Sequence, residues 1–406
     1  MKFEILKQNH VKRNILIAVV AVLIISAVIL NFTRARYIVT ESIPLVNGTI
    51  NYTAPDLNIV AIYVDGVATD TLPTGNYDLT SASYCEIDGE RAEVTLSYDS
   101  STQALRVTPF TTRGTKCYLY FEEITSRPVI DVIEEAYENN QDILAYDETA
   151  DNNLRYIGAD PDNYVYFNCD DYSNPSSSTC ELWRIIGIFD ENTHGVSGQR
   201  LVKLVRNEPL GDMAWDSGNA NDWSEASLQE TLNGNYLNRT GSYSTTGITS
   251  ETRDMIETVS WKLGGISINA NATAATFYTR ERGTTVYSGN PTEWEGKIAL
   301  IYPSDYGYAT DGGSTGRDTC LSYNLGSWNS YSDCYNNDWL YTGSDYWTLT
   351  TISSSSYRVI PVNDLGYLRY EPASSSFEVR PSVYLTPEVT TFGGSGTESD
   401  PYTLSN

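Results

Sequence analysis

Histidine is scarce in this sequence, which limits the chemistry that its side chains could perform. Only His10 and His194 are present. His194 lies in Glu191-Asn192-Thr193-His194-Gly195, a stretch typical of a turn. A His-rich metal site is therefore excluded, and any Ser-His-Asp or Cys-His group would depend on His194. We predict that His194 is a solvated loop residue and that the chain has no catalytic residues.

The cysteines favour structural disulfides over reactive thiols or metal ligands. None falls in a Cys-x-x-Cys pair, which argues against zinc and thioredoxin-type sites. Short loops close with the smallest loss of entropy, so neighbouring cysteines are the best partners. We therefore predict three local bridges, Cys85–Cys117, Cys169–Cys180 and Cys320–Cys334. Such bridges persist in an oxidising compartment outside the cytoplasm.

Acidic clusters and glycine-rich segments offer weaker signals for ligand chemistry. Asp160-Pro161-Asp162 and Cys169-Asp170-Asp171 supply oxygens that suit calcium, yet no EF-hand spacing occurs. We predict solvated loops there and no cofactor, with a structural calcium ion as the open alternative. Residues 312–317 lack the Gly-Lys-Ser/Thr ending of a phosphate loop, so we interpret them as a turn. Paired carboxylates for glycoside hydrolysis stay open, because such a pair is defined in space.

Charge is distributed unevenly between a basic head and an acidic body. The 406 residues carry a net charge of −26, which argues against nucleic acid as a partner. Residues 15–32 are almost wholly apolar, and basic residues are more numerous before them than after them. This pattern predicts a membrane-spanning segment with a cytoplasmic N-terminus and an extracellular body. We favour an uncleaved signal anchor in residues 1–36 over a cleaved signal peptide.

Changes in sequence pattern divide the exported part into four segments. We predict an Ig-like β-sandwich spacer at 37–125, a helical linker at 126–155, a large domain at 156–387 and a C-terminal strand or tail at 388–406. One linker helix is expected over residues 128–145.

Within the large domain, strands at residues 164–167 and 182–189 are expected to form a hairpin closed by Cys169–Cys180. One helix is predicted at residues 226–232, after the capping stretch Asp222-Trp223-Ser224-Glu225. A second is predicted to start from the capping stretch Thr249-Ser250-Glu251-Thr252, to run through Leu263 and to end at Gly264-Gly265.

The C-terminal stretch carries a family resemblance. Trp347-Thr348-Leu349-Thr350, Val359-Ile360-Pro361-Val362 and Val379-Arg380-Pro381-Ser382-Val383 follow one another in order. This order resembles the closing half of C-type-lectin-like domains of the formylglycine-generating-enzyme type, found in clostridial-type bacterial surface proteins of unassigned function. The resemblance implies an α+β C-type-lectin-like domain. The predicted fold class is then a transmembrane helix, a small all-β sandwich and this α+β domain.

The residues that would mark an activity in that family are altered here. The cysteines fit local bridges rather than a copper-binding pair. Glu371-Pro372-Ala373 and Asn337-Asp338-Trp339 depart from the calcium-lectin motifs, so calcium-mediated sugar binding is not implied. We expect Trp339 and Trp347 to lie in the core, and Arg380 to be a structural ion-pair partner.

Tyrosine is concentrated near the C-terminus, which favours a binding face. Residues 302–384 hold twelve of the 31 tyrosines, and tyrosine gives a large contact area at low entropic cost. Ordinary core and strand tyrosines are the alternative interpretation. Strand alternation predicts exposed side chains between Ser353 and Phe377. The candidate ligand-binding residues are Tyr357, Asn363, Asp364, Tyr367 and Tyr370.

Three functions fit these observations. The first is a membrane-anchored, adhesin- or receptor-like protein that binds a protein or glycan. The second is an exported hydrolase of glycans or cell wall, and the third is a structural surface or filament subunit. The absence of a catalytic cysteine pair or histidine cluster disfavours the enzyme.

Overall fold

The described residues of the computed structural model are 57–74, 77–87, 89–99, 104–108, 115–123, 126–267 and 272–406. They form two compact units that divide after residue 123. The predicted membrane-spanning segment at residues 15–32 lies outside the described residues.

The smaller unit is built on one mixed β-sheet. Its strands are β1 (Leu57–Val64), β2 (Val67–Thr69), β3 (Tyr77–Leu79), β4 (Tyr84–Ile87), β5 (Glu90–Arg91), β6 (Thr95–Asp99), β7 (Ala104–Thr108) and β8 (Thr115–Glu123). The sheet order is β2-β1-β8-β4-β5, with β3 also paired to β8. Along β8 the side chains of Cys117, Leu119 and Phe121 are buried on one face, as strand alternation requires. The β6–β7 hairpin packs against the same core.

The predicted Ig-like sandwich is wrong for this unit. Strands β1 and β8 pair in parallel, from Leu57 with Thr115 to Val64 with Phe121. A sandwich of two antiparallel sheets has no such central parallel pair. The predicted bridge Cys85–Cys117 is confirmed, and it joins neighbouring residues of β4 and β8.

The larger unit contains the remaining strands. They are β9 (Arg127–Pro128), β10 (Leu144–Tyr146), β11 (Leu154–Tyr156), β12 (Tyr164–Phe167), β13 (Glu181–Phe189), β14 (Leu201–Arg206), β15 (Asp212–Ala214), β16 (Val259–Lys262), β17 (Glu293–Gly296), β18 (Ile298–Ala299), β19 (Tyr346–Thr351), β20 (Arg358–Val362), β21 (Glu371–Pro372), β22 (Ser376–Glu378), β23 (Ser382–Tyr384), β24 (Thr390–Gly393) and β25 (Tyr402–Ser405).

Two sheets organise these strands. The larger has the order β18-β23-β14-β13-β12-β25-β24-β9, with β10 and β11 branching from β13. The smaller has the order β15-β22-β19-β20-β21, and β16–β17 is a separate hairpin. Residues 126–155 and 388–406 supply β9 to β11 and β24 to β25, so the structure places both segments in the larger unit.

Short helices connect the strands of this unit. The α-helices are α1 (Val129–Asn139), α2 (Glu191–His194), α3 (Ser227–Glu230), α4 (Ser250–Asp254), α5 (Ala274–Glu281), α6 (Pro303–Tyr308), α7 (Arg317–Leu321) and α8 (Ser332–Asn336). Short 3₁₀ helices span Trp223–Glu225, Gly241–Tyr243, Gly313–Thr315 and Leu325–Ser330, and a π-helix spans Thr231–Tyr236.

Two helix predictions differ from the structure. The linker helix α1 ends at Asn139, short of the predicted residue 145, and residues 144–146 form β10 instead. The second predicted helix begins as expected, because α4 spans Ser250–Asp254 with Thr249 as its N-cap, but its continuation to Leu263 is wrong. Val259–Lys262 is instead a strand whose residues alternate between buried and half-buried. A period of two was mistaken there for a helical period.

The predicted hairpin of β12 and β13 is confirmed, with Tyr164 opposite Arg184 and the bridge Cys169–Cys180 in the loop that connects the two strands. The bridge Cys320–Cys334 is also confirmed. Trp339 and Trp347 are buried, as predicted for core residues.

The predicted fold class, a transmembrane helix followed by an Ig-like sandwich and an α+β domain, is wrong. The described residues are predominantly β, with 21% in helices. Within the described residues, no helix combines the length and the apolar character needed to cross a membrane. The physical reason is that most of the apolar runs pair as strands within the sheets, which leaves α1, with eleven residues, as the longest described helix.

Candidate functional site

A buried cluster of charged side chains connects two strands and a helix of the larger unit. The Asp305 carboxylate lies at the start of α6 and accepts hydrogen bonds from Arg155 Nη1 at 2.8 Å and Lys203 Nζ at 2.6 Å. Burial opposes ionisation of Asp305, but Lys203 and Arg155 outweigh it and lower the carboxyl pKa to about 2. The cluster therefore ties β11 and β14 to α6 and has a structural role.

A polar cleft is the candidate functional site of this unit. Its volume is about 430 Å³, within the range of roughly 300–1,000 Å³ that is typical of small-ligand sites. Five separate stretches of chain line it: Ala159 to Tyr164, Arg184, Asn207 to Pro209, Trp339 to Ser344, and Glu378 to Arg380. We call it the arginine cleft, because Arg184 and Arg380 both line it. The loops after β11 and β14 and the ends of β19 and β22 bring these stretches together.

Arg184 is held by hydrogen bonds and ring contacts. Its guanidinium lies between the rings of Tyr164 and Trp339, 4.0 and 4.7 Å from their centroids. Nε donates to Asn163 Oδ1 at 2.7 Å, and Nη2 donates to Asp160 Oδ1 at 3.0 Å. Burial and then the positive charge of Arg380 lower the pKa of Arg184 to about 10, although Tyr164 and Asp160 oppose the shift. Arg184 is therefore a wall of the cleft, already engaged by its neighbours.

Arg380 is held less completely. Only 3% of this residue is exposed, and Nε donates to the Arg206 carbonyl oxygen at 3.0 Å. Nη1 is buried and has no hydrogen-bond partner in the described part of the chain. Burial lowers the pKa of Arg380, although Tyr346, Glu378 and Glu208 act in the opposite direction. Arginine stays protonated in proteins, so a positively charged side chain without an ion-pair partner lines the cleft.

The predicted ion pair of Arg380 is wrong. Across the described chain, no carboxylate lies within the 4.0 Å ion-pair distance of its guanidinium. A buried polar group without a partner costs about 1–3 kcal/mol. A ligand carboxylate would supply two acceptor oxygens, which guanidinium groups bind strongly and with defined geometry.

The predicted binding residues lie in a different part of the unit. Tyr357 and Tyr370 are 37% and 42% exposed, and their rings lie 5.6 and 4.5 Å from the Arg358 guanidinium. Asn363 is buried, and its Nδ2 donates to Asp345 Oδ1 at 2.8 Å, so its role is structural.

The other two predicted binding residues, Asp364 and Tyr367, lie in and after the turn that follows Asn363. Asp364 is exposed at the turn and Tyr367 is half-buried. The Asp364 carbonyl oxygen accepts a 2.8 Å hydrogen bond from the hydroxyl of Tyr341, a residue of the cleft.

His194 is fully buried, so the prediction of a solvated residue is wrong. Its Nδ1 accepts from the Val196 N–H, and its Nε2 lies 3.2 Å from the Phe189 carbonyl oxygen. Burial lowers the pKa of His194 to about 4, so the ring is neutral at pH 7. Among the residues described, no group of three or more His, Cys, Asp or Glu is placed to hold a metal ion.

Comparison with known proteins adds no family. No protein-family model, curated protein or solved structure matches this chain. The resemblance to C-type-lectin-like domains is left untested by these comparisons.

Sequence reasoning missed the arginine cleft because its lining comes from distant segments. One local signal was present in Val379-Arg380-Pro381, where a charged residue interrupts a stretch that must be buried. A charged residue within a buried stretch marks a candidate ligand contact.

Proposed function

We propose that this protein is an exported, cell-surface binding protein whose larger unit binds the carboxylate of its ligand in the arginine cleft. The observation that carries the proposal is the guanidinium of Arg380, which lines a cleft of ligand size and has no ion-pair partner among the described residues. Arg184 forms another part of the wall, where its Nε and Nη2 donate to Asn163, Asp160 and Pro161.

Export is supported by the covalent structure. All six cysteines are paired, which is typical of proteins that fold in an oxidising compartment. Protease added to intact cells should digest the body of the chain and spare an N-terminal tag. A body protected until the cells are lysed would contradict export.

The binding proposal is tested with the full-length chain on an array of carboxylated glycans and peptides, each beside its amide or methyl ester. We expect wild type to retain carboxylated probes and to lose them when the carboxylate is blocked. Arg380→Met should remove this binding. Arg358→Met is the matched control, because it also removes one arginine but lies outside the cleft.

The same array tests the exposed tyrosines. If Tyr357→Ala and Tyr370→Ala abolish binding while Arg380→Met leaves it unchanged, the ligand contacts the predicted face and the cleft proposal is wrong.

A further inference from the structure

The side chains of Glu378 and Arg380, on either side of Val379, indicate which kind of ligand the cleft binds. This inference rests on the function proposed above. Glu378 and Arg380 both line the arginine cleft. Residues two apart on an extended chain project to the same side, so the two opposite charges share one surface. Nevertheless they form no ion pair within 4.0 Å. The carboxylate of Glu378 and the guanidinium of Arg380 are therefore both available to a ligand.

Two carboxylates that line the cleft, those of Glu378 and Glu208, also have few hydrogen-bond partners. Glu378 is half-buried, and within the described chain no donor is hydrogen-bonded to its carboxylate. Glu208 is exposed on the facing loop, and its Oε1 accepts only from Asn207 Nδ2 at 3.1 Å. Asp160 differs, because its Oδ1 already accepts from both Arg184 and Tyr164.

The charges that line the cleft disfavour a simple anion. Two arginines face the carboxylates of Asp160, Glu208 and Glu378, so the formal sum is one excess negative charge. A phosphate or sulfate at Arg380 would be repelled by Glu378 and Glu208 at short range. A ligand that carries an ammonium group beside its carboxylate satisfies both sides.

We infer that the arginine cleft binds a zwitterion with an α-carboxylate and a free ammonium group, namely a free amino acid or a short peptide with both termini free. The carboxylate accepts from the Arg380 guanidinium, and the ammonium group donates to Glu378, with Glu208 as a second acceptor in the lining of the cleft. The cleft volume of about 430 Å³ fits such a small ligand rather than a folded protein surface.

Isothermal titration calorimetry on the full-length chain tests this inference. The probes are alanine, dialanine and trialanine, each with its N-acetylated and C-amidated forms. We expect one length to bind best, and either modification of that probe to weaken binding at least tenfold. Glu378→Gln should weaken the free peptide at least tenfold and leave the N-acetylated peptide unchanged. Glu230→Gln, an exposed helix position, is the matched control.

The outcomes separate this inference from the proposed function. If N-acetylated probes bind as tightly as free ones, the ligand is a plain carboxylate; the inference is then wrong and the proposed function stands. The inference is also wrong, and the proposed function again stands, if none of these probes binds while carboxylated glycans bind through Arg380. If no carboxylated probe of either kind binds, both proposals are wrong.

Discussion

Replacing Arg380 with methionine separates a ligand contact from a structural residue. The substitution keeps much of the aliphatic volume but removes the charge and every N–H group. It breaks one hydrogen bond, from Nε to the Arg206 carbonyl oxygen, worth about 1 kcal/mol. It also removes the unsatisfied Nη1, which costs the folded state about 1–3 kcal/mol. Repulsion from Arg206 and Arg184 disappears as well, together with the attraction of Glu378 and Glu208. We therefore expect Arg380→Met to raise the unfolding free energy of the larger unit by about 1 kcal/mol.

Arg184→Met is the matched control for that experiment. This substitution removes two side-chain hydrogen bonds and the contacts with the rings of Tyr164 and Trp339. The side-chain oxygen of Asn163 is buried and loses its hydrogen-bond donor. The Asp160 carboxylate can hydrogen-bond to water instead, because 66% of its side chain is exposed. The expected loss of unfolding free energy is about 3 kcal/mol, summed from the lost hydrogen bonds and ring contacts.

Differential scanning calorimetry of the full-length chain measures both effects. For a unit of this size, 1 kcal/mol corresponds to a shift of roughly 2–4 °C in the melting temperature. We expect a small rise for Arg380→Met and a clear fall for Arg184→Met. If Arg380→Met lowers the melting temperature as much as Arg184→Met does, then Arg380 is a structural residue and the argument for a binding site fails.

Three further predictions concern stability. The pKa of His194 falls from 6.5 unfolded to about 4 folded, so its stabilising contribution is complete above pH 6.5 and is lost as the pH falls towards 4; the loss is about 3 kcal/mol. His194→Gln should remove this part of the pH dependence in urea unfolding curves, and unchanged curves would show that the ring is not neutral when folded. Burial raises the pKa of the Asp338 carboxyl, whose Oδ2 has no partner among the described residues, so this group destabilises the folded state as the pH rises above about 4. Asp338→Asn should therefore be more stable than wild type at pH 7 and equal to it at pH 3, and equal stability at both would contradict the argument. The double variant Cys85→Ala/Cys117→Ala opens a bridge of sequence separation 32 and should cost the smaller unit about 3–4 kcal/mol. Calorimetry should show a lower melting temperature for the smaller unit and an unchanged one for the larger unit. An equal decrease for both units would refute the division of the chain into two units.

The three disulfides could be predicted because loop closure depends on sequence separation alone. The same holds for the hairpin of β12 and β13, where two β-rich runs flank a cysteine-closed loop. Trp339 and Trp347 could be assigned to the core from their strand context. In each case the decisive physics is local, so neighbouring residues carry the information.

Other features depend on contacts that no local pattern reveals. The parallel pairing of β1 with β8 joins strands separated by most of the smaller unit. Val259–Lys262 became a strand because β17 provides a partner, although its apolar spacing also fitted a helix. Asn363 was expected at the surface, but it is buried, and its side chain donates a hydrogen bond to Asp345. The arginine cleft is the extreme case, because Arg184 and Arg380 meet only after two sheets have formed.

The most direct test of the central claim is a double-mutant cycle on the contact between Arg380 and a ligand carboxylate. Calorimetric dissociation constants are measured for wild type and Arg380→Met, each with the best-binding carboxylated probe and with its C-terminal amide. A charge-assisted hydrogen bond is worth about 1.5–3 kcal/mol, which corresponds to roughly tenfold or more in affinity. We expect each single change to weaken binding at least tenfold and the two together to weaken it no further. If the two effects multiply instead, the carboxylate is bound elsewhere and Arg380 is not its partner.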